Sequence, residues 1–140
     1  MEIWQKTLED ILVKILTDAV SEFSTKEIKI IDIGIFPWHN YIELSFLFAD
    51  DNCDSDDIAS WKYYNYSQFN EGKWQEVETV IQELHKDWEK NNDIVTLLKK
   101  VAFVVKSNKV NEEIQKFNKA SLFKVQILNP DDSNSPNYYV

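Results

Sequence analysis

Five aspartates fall within eight successive positions near the middle of the chain, and their carboxylates are the first candidates for chemistry in this sequence. They are Asp50, Asp51, Asp54, Asp56 and Asp57. Asp50, Asn52 and Asp54 have the spacing of the first, third and fifth ligands of a calcium loop. However, Ser55 stands where such a loop needs glycine, and Trp61 stands where it needs glutamate. The segment also follows a predicted strand rather than a helix. An EF-hand is therefore excluded, and we expect no metal cofactor.

The other residue types that carry catalysis are isolated from one another. Neither His39 nor His85 has the spacing of a zinc ligand to a second histidine or cysteine. Cys53 lies among carboxylates, whereas a reactive thiolate is favoured by neighbouring cations. Gly34 and Gly72 stand alone, which excludes a P-loop and a dinucleotide-binding fingerprint. We therefore expect no catalytic residues, no cofactor and no enzymatic activity.

A binding surface is the function that these residues favour. The aspartate run leads into Trp61, Tyr63 and Tyr64, which join large amphipathic rings to negative charge. Aromatic side chains anchor protein interfaces, and a negative field accelerates the capture of a basic partner. We predict that the five aspartates and these three aromatic residues bind a protein partner. The alternative is that the aromatic residues belong to the core and the aspartates only keep the protein in solution.

The overall charge restricts the class of partner. The chain has 140 residues and a net charge of −9, and all fifteen of its cationic side chains are lysine. Arginine is the preferred residue for bidentate contacts with phosphate, so its absence argues against nucleic-acid recognition. Between residues 94 and 128, seven lysines outnumber two glutamates, which leaves a net −14 on the remainder. We expect a basic partner and neither nucleic acid nor an anionic membrane.

Cysteine content and hydropathy predict a cytoplasmic protein. A single cysteine allows no internal disulfide, which is typical of a reducing compartment. The sequence opens directly into an amphipathic pattern and shows no secretory signal. Its longest uninterrupted apolar run, 101–105, is far shorter than the roughly 20 residues that span a bilayer.

Periodic apolar residues predict the elements that position the aspartate run. Three- and four-residue spacing predicts a helix of about six turns from Ile3 to Phe23. Alternating residues over 28–36 and 41–48, joined by Pro37 to Asn40, predict an antiparallel hairpin. Residues 50–70 lack periodicity, which indicates an ordered loop, with a short strand at its aromatic end as an option.

The second half of the chain mixes helical and strand patterns. Helices are predicted over 74–88, over a short segment that Asp93 caps, and over 110–117. Residues 101–105 could extend the middle helix, but β-branched and aromatic side chains favour a buried strand. A last strand is predicted over 122–128. The fold class is α+β: a long N-terminal helix, a hairpin, central helices and C-terminal strands in one mainly antiparallel sheet packed by helices. Residues 1–129 form one domain, and 130–140 form a polar tail.

This order of elements resembles a family of small bacterial domains. The segments that carry the resemblance are Trp61-Lys62-Tyr63, Val105-Lys106-Ser107-Asn108 and the run from Glu113 to Asn118. These domains are often encoded beside polymorphic or contact-dependent toxins and are taken to be immunity proteins. The resemblance implies stoichiometric inhibition, in which an acidic protein fills the active site of a basic toxin in place of the phosphates of its substrate.

The expected function is therefore that of a non-catalytic immunity protein that binds a cognate toxin. Two alternatives stay open at this point. One is a protein-interaction module or subunit unrelated to toxins. The other is a small ligand-binding domain or enzyme, which would need a concave site with convergent polar groups and a perturbed pKa. The sequence leaves the oligomeric state undetermined.

Overall fold

The chain folds into four helices and three strands, and the computed structural model describes all residues from 1 to 140. The helices are α1 (Ile3–Glu22), α2 (Gln75–Asn91), α3 (Ile94–Val105) and α4 (Asn108–Ile114). The strands are β1 (Ile28–Phe36), β2 (Tyr41–Phe48) and β3 (Lys119–Gln126). Short 3₁₀ turns lie at Pro37–His39 and Ile58–Ser60. The predicted α+β class is confirmed, with helix α1 first and the hairpin second.

The alternation of β1 and β2 gives the hairpin two different faces. The two strands pair antiparallel, with Ile31 opposite Phe46 and Gly34 opposite Glu43. Ile31 and Phe46 belong to the main core, where the sheet packs against the helices. Asp32, Gly34 and Glu43 alternate with these residues and therefore lie on the opposite face, which we call the outer face.

Strand β3 completes a three-stranded sheet in the order β2-β1-β3. It runs parallel to β1, so the sheet is mixed rather than wholly antiparallel. The register is irregular, because Ile28 pairs with Lys119 whereas Ile30 pairs with Lys124. Val125 is buried on the same side as the hairpin core. Helix α1 packs against the three other helices and forms the centre of the helical layer.

The prediction of a strand at Val101 to Val105 is wrong, because these residues form the last turns of α3. Val101, Ala102, Val104 and Val105 are buried while Phe103 is 60% exposed, and this pattern has the helical period rather than strict alternation. The Asp93 side chain accepts a hydrogen bond from the Thr96 amide and starts the helix. No turn residue interrupts the chain from there on, so packing of the continuous apolar face overrides the β preference of valine.

The segment between β2 and α2 closes the free edge of β2. The Phe46 amide donates to the Tyr63 carbonyl at 3.2 Å, and the Leu44 amide donates to Ser67 Oγ at 3.2 Å. The Asn70 side chain accepts from the Ile42 amide and donates to the Ile42 carbonyl, each at 3.2 Å. The predicted loop is therefore ordered, and its aromatic end makes a single β bridge between Phe46 and Tyr63.

The polar tail is attached to the end of β3. The Asn137 side chain accepts from the Ile127 amide at 3.0 Å and donates to the Val125 carbonyl at 2.9 Å. Tyr138 and Tyr139 pack against the main core. The tail therefore lies along the last part of β3, and its first residues pass over the outer face. None of the four helices is long and apolar enough to cross a membrane.

Candidate functional site

Four of the five predicted aspartates lie on the surface, in a loop that directly follows β2. Asp50, Asp54, Asp56 and Asp57 are exposed. Asp51 is half-buried, and its Oδ2 accepts a hydrogen bond from the Phe48 amide at 2.9 Å. We call residues 50–57 the acidic loop. Asp51 therefore fixes the start of the loop to the strand, and the other four carboxylates point their charge outward.

Local hydrogen bonds give the acidic loop a defined shape. Asp54 Oδ1 accepts from the Asp56 amide at 2.9 Å, and the Asp57 amide donates to the Asp54 carbonyl at 3.1 Å. The Ser60 hydroxyl donates to the Asp57 carbonyl at 2.7 Å. None of the five aspartates forms an ion pair with a lysine. The loop thus presents negative charge that no cation of this chain neutralises.

The buried side chain of Trp61 holds the acidic loop against the outer face of the sheet. Its side chain is 3% exposed and packs in a small outer-face core with Ile30 and Leu47, beside the half-buried Cys53. The indole Nε1 donates to the Asp54 carbonyl at 3.3 Å. The structure therefore places Trp61 in the interior, where it holds the loop in position and offers no surface to a partner.

The two predicted tyrosines differ in exposure. Tyr63 is half-buried, with its ring 4.9 Å from that of Phe23 and 5.2 Å from that of Phe48. Tyr64 is 38% exposed, and its hydroxyl donates to Glu43 Oε1 at 2.8 Å. Tyr64 is therefore the predicted aromatic residue with the most surface available for an interface.

A buried carboxylate on the outer face was missed by the sequence reasoning. Asp32 is only 4% exposed, and Gln126 Nε2 on β3 donates to its Oδ1 at 2.9 Å. Glu43, 8% exposed, lies on the neighbouring strand. The signal in the sequence was a carboxylate inside a run of isoleucines, since a charged residue within a buried strand needs a partner or a role.

Burial shifts the acid–base behaviour of this cluster. It raises the pKa of Asp32 to about 7; the hydrogen bond from Gln126 lowers that pKa, and the negative charge of Glu43 raises it. Burial and the hydrogen bond to Glu43 raise the pKa of Tyr64 to about 12. Asp32 thus changes its charge close to neutral pH, whereas the Tyr64 hydroxyl stays protonated and continues to donate to Glu43.

A cavity of about 190 Å³ opens beside Asp32, where the sheet, the residue after the acidic loop and the tail meet. Its walls include Gly34 and Phe36 from β1, Ile58, which directly follows the acidic loop, and Pro130 and Asp132 from the tail. We call it the Asp32 cavity. The acidic loop therefore ends one residue before a wall of the cavity that contains the buried carboxylate.

A larger cavity of about 450 Å³ lies elsewhere, between the hairpin turn and α2. It brings together both histidines of the chain, with Tyr41, Phe69 and Glu78 among its other walls. His85 Nδ1 is 2.8 Å from the Pro37 carbonyl oxygen, and its Nε2 is 3.0 Å from Glu89 Oε2. Both ring nitrogens of His85 are therefore occupied, which leaves His39 as the free imidazole there.

No three histidine, cysteine or carboxylate residues come together in a way that could hold a metal ion. No protein-family model matches the chain, and neither a curated protein nor a solved structure matches it at a significant level.

Proposed function

We propose that this chain is a non-catalytic binding protein, an immunity protein that neutralises a basic toxin by stoichiometric binding. The observation that carries the proposal is the acidic loop, in which Asp50, Asp54, Asp56 and Asp57 are exposed and free of ion pairs, and in which the last three are held by hydrogen bonds. Clustered unpaired charge of one sign speeds association with a partner of opposite sign. The net charge of −9 acts in the same direction.

Rigidity of the loop adds to this argument. The buried Trp61 and the Asp51 hydrogen bond fix its geometry before any partner arrives. A preorganised surface avoids part of the ordering cost of association. Tyr64 is 38% exposed and its hydroxyl donates to Glu43, so it can serve as an aromatic anchor at low entropic cost.

The test begins with affinity capture of partners on the tagged chain at low and moderate salt, followed by mass spectrometry. We expect one basic, stoichiometric partner that is toxic when produced alone and harmless when produced together with this chain. Its retention should weaken as salt increases, because screening shortens the range of the loop's field. A partner without toxicity would transfer the proposal to an interaction module.

A variant pair then locates the interface. Changing Asp50, Asp54, Asp56 and Asp57 together to asparagine should weaken partner binding by about tenfold or more, because each exposed pair contributes a few tenths to 1 kcal/mol. Asp51 stays unchanged, since its carboxylate holds the backbone. The matched control changes four exposed carboxylates elsewhere to amides, namely Asp10, Asp18, Glu71 and Glu112. Equal losses in the two variants would contradict an interface at the acidic loop.

A second candidate function rests on the 450 Å³ cavity between the hairpin turn and α2. Its size falls within the range of small-molecule sites, and its walls combine aromatic rings with amides and one carboxylate, Glu78. A ligand-binding domain would show saturable shifts of the His39 and Tyr41 ring resonances when small molecules are screened by NMR. The absence of saturable shifts of these rings across the screen would reject this candidate.

A further inference from the structure

The Asp32 cavity combines three features that the acidic loop alone does not have. It is a partly open recess of about 190 Å³, its wall includes a carboxylate that is 4% exposed, and its rim includes Ile58, the residue that directly follows the acidic loop. Pockets for drug-sized ligands measure about 300–1,000 Å³. The recess is therefore of a size for a single side chain or a similarly small group.

One carboxylate oxygen of Asp32 has no hydrogen-bond partner within the chain. Gln126 Nε2 donates to Oδ1, but Oδ2 accepts no hydrogen bond from any group of the chain. A methyl group on Gly34 would lie 3.7 Å from Oδ2, which places this oxygen beside a residue that lines the cavity. Asp32 also has no ion-pair partner. An ionised carboxylate in this position is largely desolvated and is compensated within the chain only by the Gln126 hydrogen bond, so a positive charge in the cavity would stabilise it further.

We propose that the Asp32 cavity receives one basic side chain of the protein partner, a lysine or an arginine, and that Asp32 is its counter-ion. This inference rests on the proposed function and names the contact that would anchor the complex. The exposed aspartates attract the partner over a distance, and the cavity binds one of its cations at short range. Phe36, Ile58 and Pro130 provide apolar walls for the alkyl stem of such a side chain.

Proton linkage follows from this arrangement. The groups around Asp32 that titrate are Glu43 on β2, Tyr64 and Tyr41 near Glu43, and Asp132 on the tail. A cation favours the ionised form of Asp32, so it competes with the proton that burial favours. Binding should therefore weaken as the pH falls below 7, by at most about tenfold per pH unit from this one group.

The cavity can be tested with n-butylammonium as the probe and n-butanol as its neutral control, followed by NMR of the Gly34 amide and the Gln126 side-chain amide. We expect saturable shifts with n-butylammonium at pH 8, weaker binding at pH 6, and no saturable shifts with n-butanol. Asp32→Asn should abolish binding while retaining an acceptor for Gln126. Asp131→Asn, which removes the same charge from an exposed neighbour outside the cavity wall, should not.

Gly34→Ala provides a steric test that leaves every charge unchanged. The added methyl would lie 2.9 Å from Phe36 Cε2, so the ring must move, and it would occupy space 3.7 Å from Asp32 Oδ2. We expect weaker probe binding in this variant. Equal shifts with the alcohol, or unchanged probe binding in Asp32→Asn, would overturn the proposal.

The partner supplies the second arm of the test. Asp32→Asn should weaken binding of the captured toxin by about tenfold or more, with a faster dissociation rate, because a buried charge contact acts mainly on dissociation. If n-butylammonium binds at Asp32 but toxin affinity is unchanged in Asp32→Asn, the site belongs to a small amine and the proposed docking is wrong. If the wild-type chain has no stoichiometric partner, the proposed function fails, and the probe titration still decides whether Asp32 binds a cation.

Discussion

A desolvated carboxylate changes the stability of a protein according to its protonation. Asp32 has an ordinary pKa of 3.8 and a pKa of about 7 in the folded chain. The folded state therefore binds this proton more tightly than the unfolded state does. The resulting stabilisation is complete below pH 3.8 and is lost as the pH rises to 7. Above pH 7, Asp32 is ionised, and its desolvated charge lowers the stability of the folded state.

Replacing Asp32 by asparagine should make the protein more stable at pH 8. The amide is neutral and can still accept the Gln126 hydrogen bond. The unfolding free energy then no longer depends on protonation at this position. We expect the unfolding free energy to increase on the order of 1–4 kcal/mol relative to the wild type at pH 8, with a smaller difference at pH 5. Urea denaturation at both pH values measures this, with Asp131→Asn as the control. A variant less stable than the wild type at pH 8 would contradict the raised pKa.

At the scale of elements, α3 shows why local propensity and tertiary packing have to be weighed together. Residues 101–105 combine the β-branched side chains of a strand with a burial pattern that only a helix produces. The helix begins upstream at the Asp93 cap, and one continuous apolar face extends from Leu97 to Val105. A helix already started adds each residue at low cost, whereas a new strand would need a turn that the sequence does not provide.

Two serine substitutions distinguish the helix from the alternative strand. Val104 is 0% exposed and Phe103 is 60% exposed, whereas in a buried strand Phe103 would be buried on the same face as Val101 and Val105. We expect Val104→Ser to lower the unfolding free energy by about 2–4 kcal/mol and Phe103→Ser to change it by less than about 1 kcal/mol. Thermal and urea unfolding of the two variants measure this. A larger loss for Phe103→Ser would support the strand.

The side chain of Asn70 takes the place of a neighbouring strand at the edge of β2. Asn70→Ala removes both of its hydrogen bonds to Ile42. We expect a loss of about 1–3 kcal/mol of stability and faster exchange of the Ile42 amide hydrogen. Hydrogen-exchange NMR measures both, with Asn134→Ala in the exposed tail as the control. Unchanged protection of Ile42 would show that water replaces the side chain without cost.

At the scale of the whole molecule, the uneven distribution of charge allows the effect of the acidic loop on association to be distinguished from the effect of the net charge. Residues 94–128 carry a net +5 within a chain of net −9. Lys99 and Lys109 are exposed and form no ion pair. Changing both to glutamine makes the chain more acidic without touching the acidic loop. If the acidic loop steers the partner, the two lysine changes should increase the association rate by less than about threefold. Removing the charge of the loop should lower the association rate by more than about threefold. Stopped-flow kinetics against salt concentration measures this, and a larger effect of the lysine changes would assign steering to the net charge.

The sequence predicted the parts of this molecule that depend on local periodicity. Helix α1 and the hairpin followed from the spacing of apolar residues, and the exposed aspartates followed from their density. Trp61 could not be placed, because an indole next to a charged run is as compatible with an interface as with a core. The Asp32 cavity could not be predicted either, since it needs β1, Ile58 and the tail to meet, and the parallel pairing of β3 that brings Gln126 to Asp32 has no local signal.

The closed edge of β2 limits how a partner can be recognised. The backbone amides of Ile42, Leu44, Phe46 and Phe48 all donate within the chain. An extended peptide that joins a sheet needs such amides to be free. Strand addition at this edge, directly beside the acidic loop, is therefore blocked. A partner that binds the acidic loop therefore has to be recognised through contacts of its side chains. A folded surface whose cationic side chains are already in position suits such recognition better than a flexible segment.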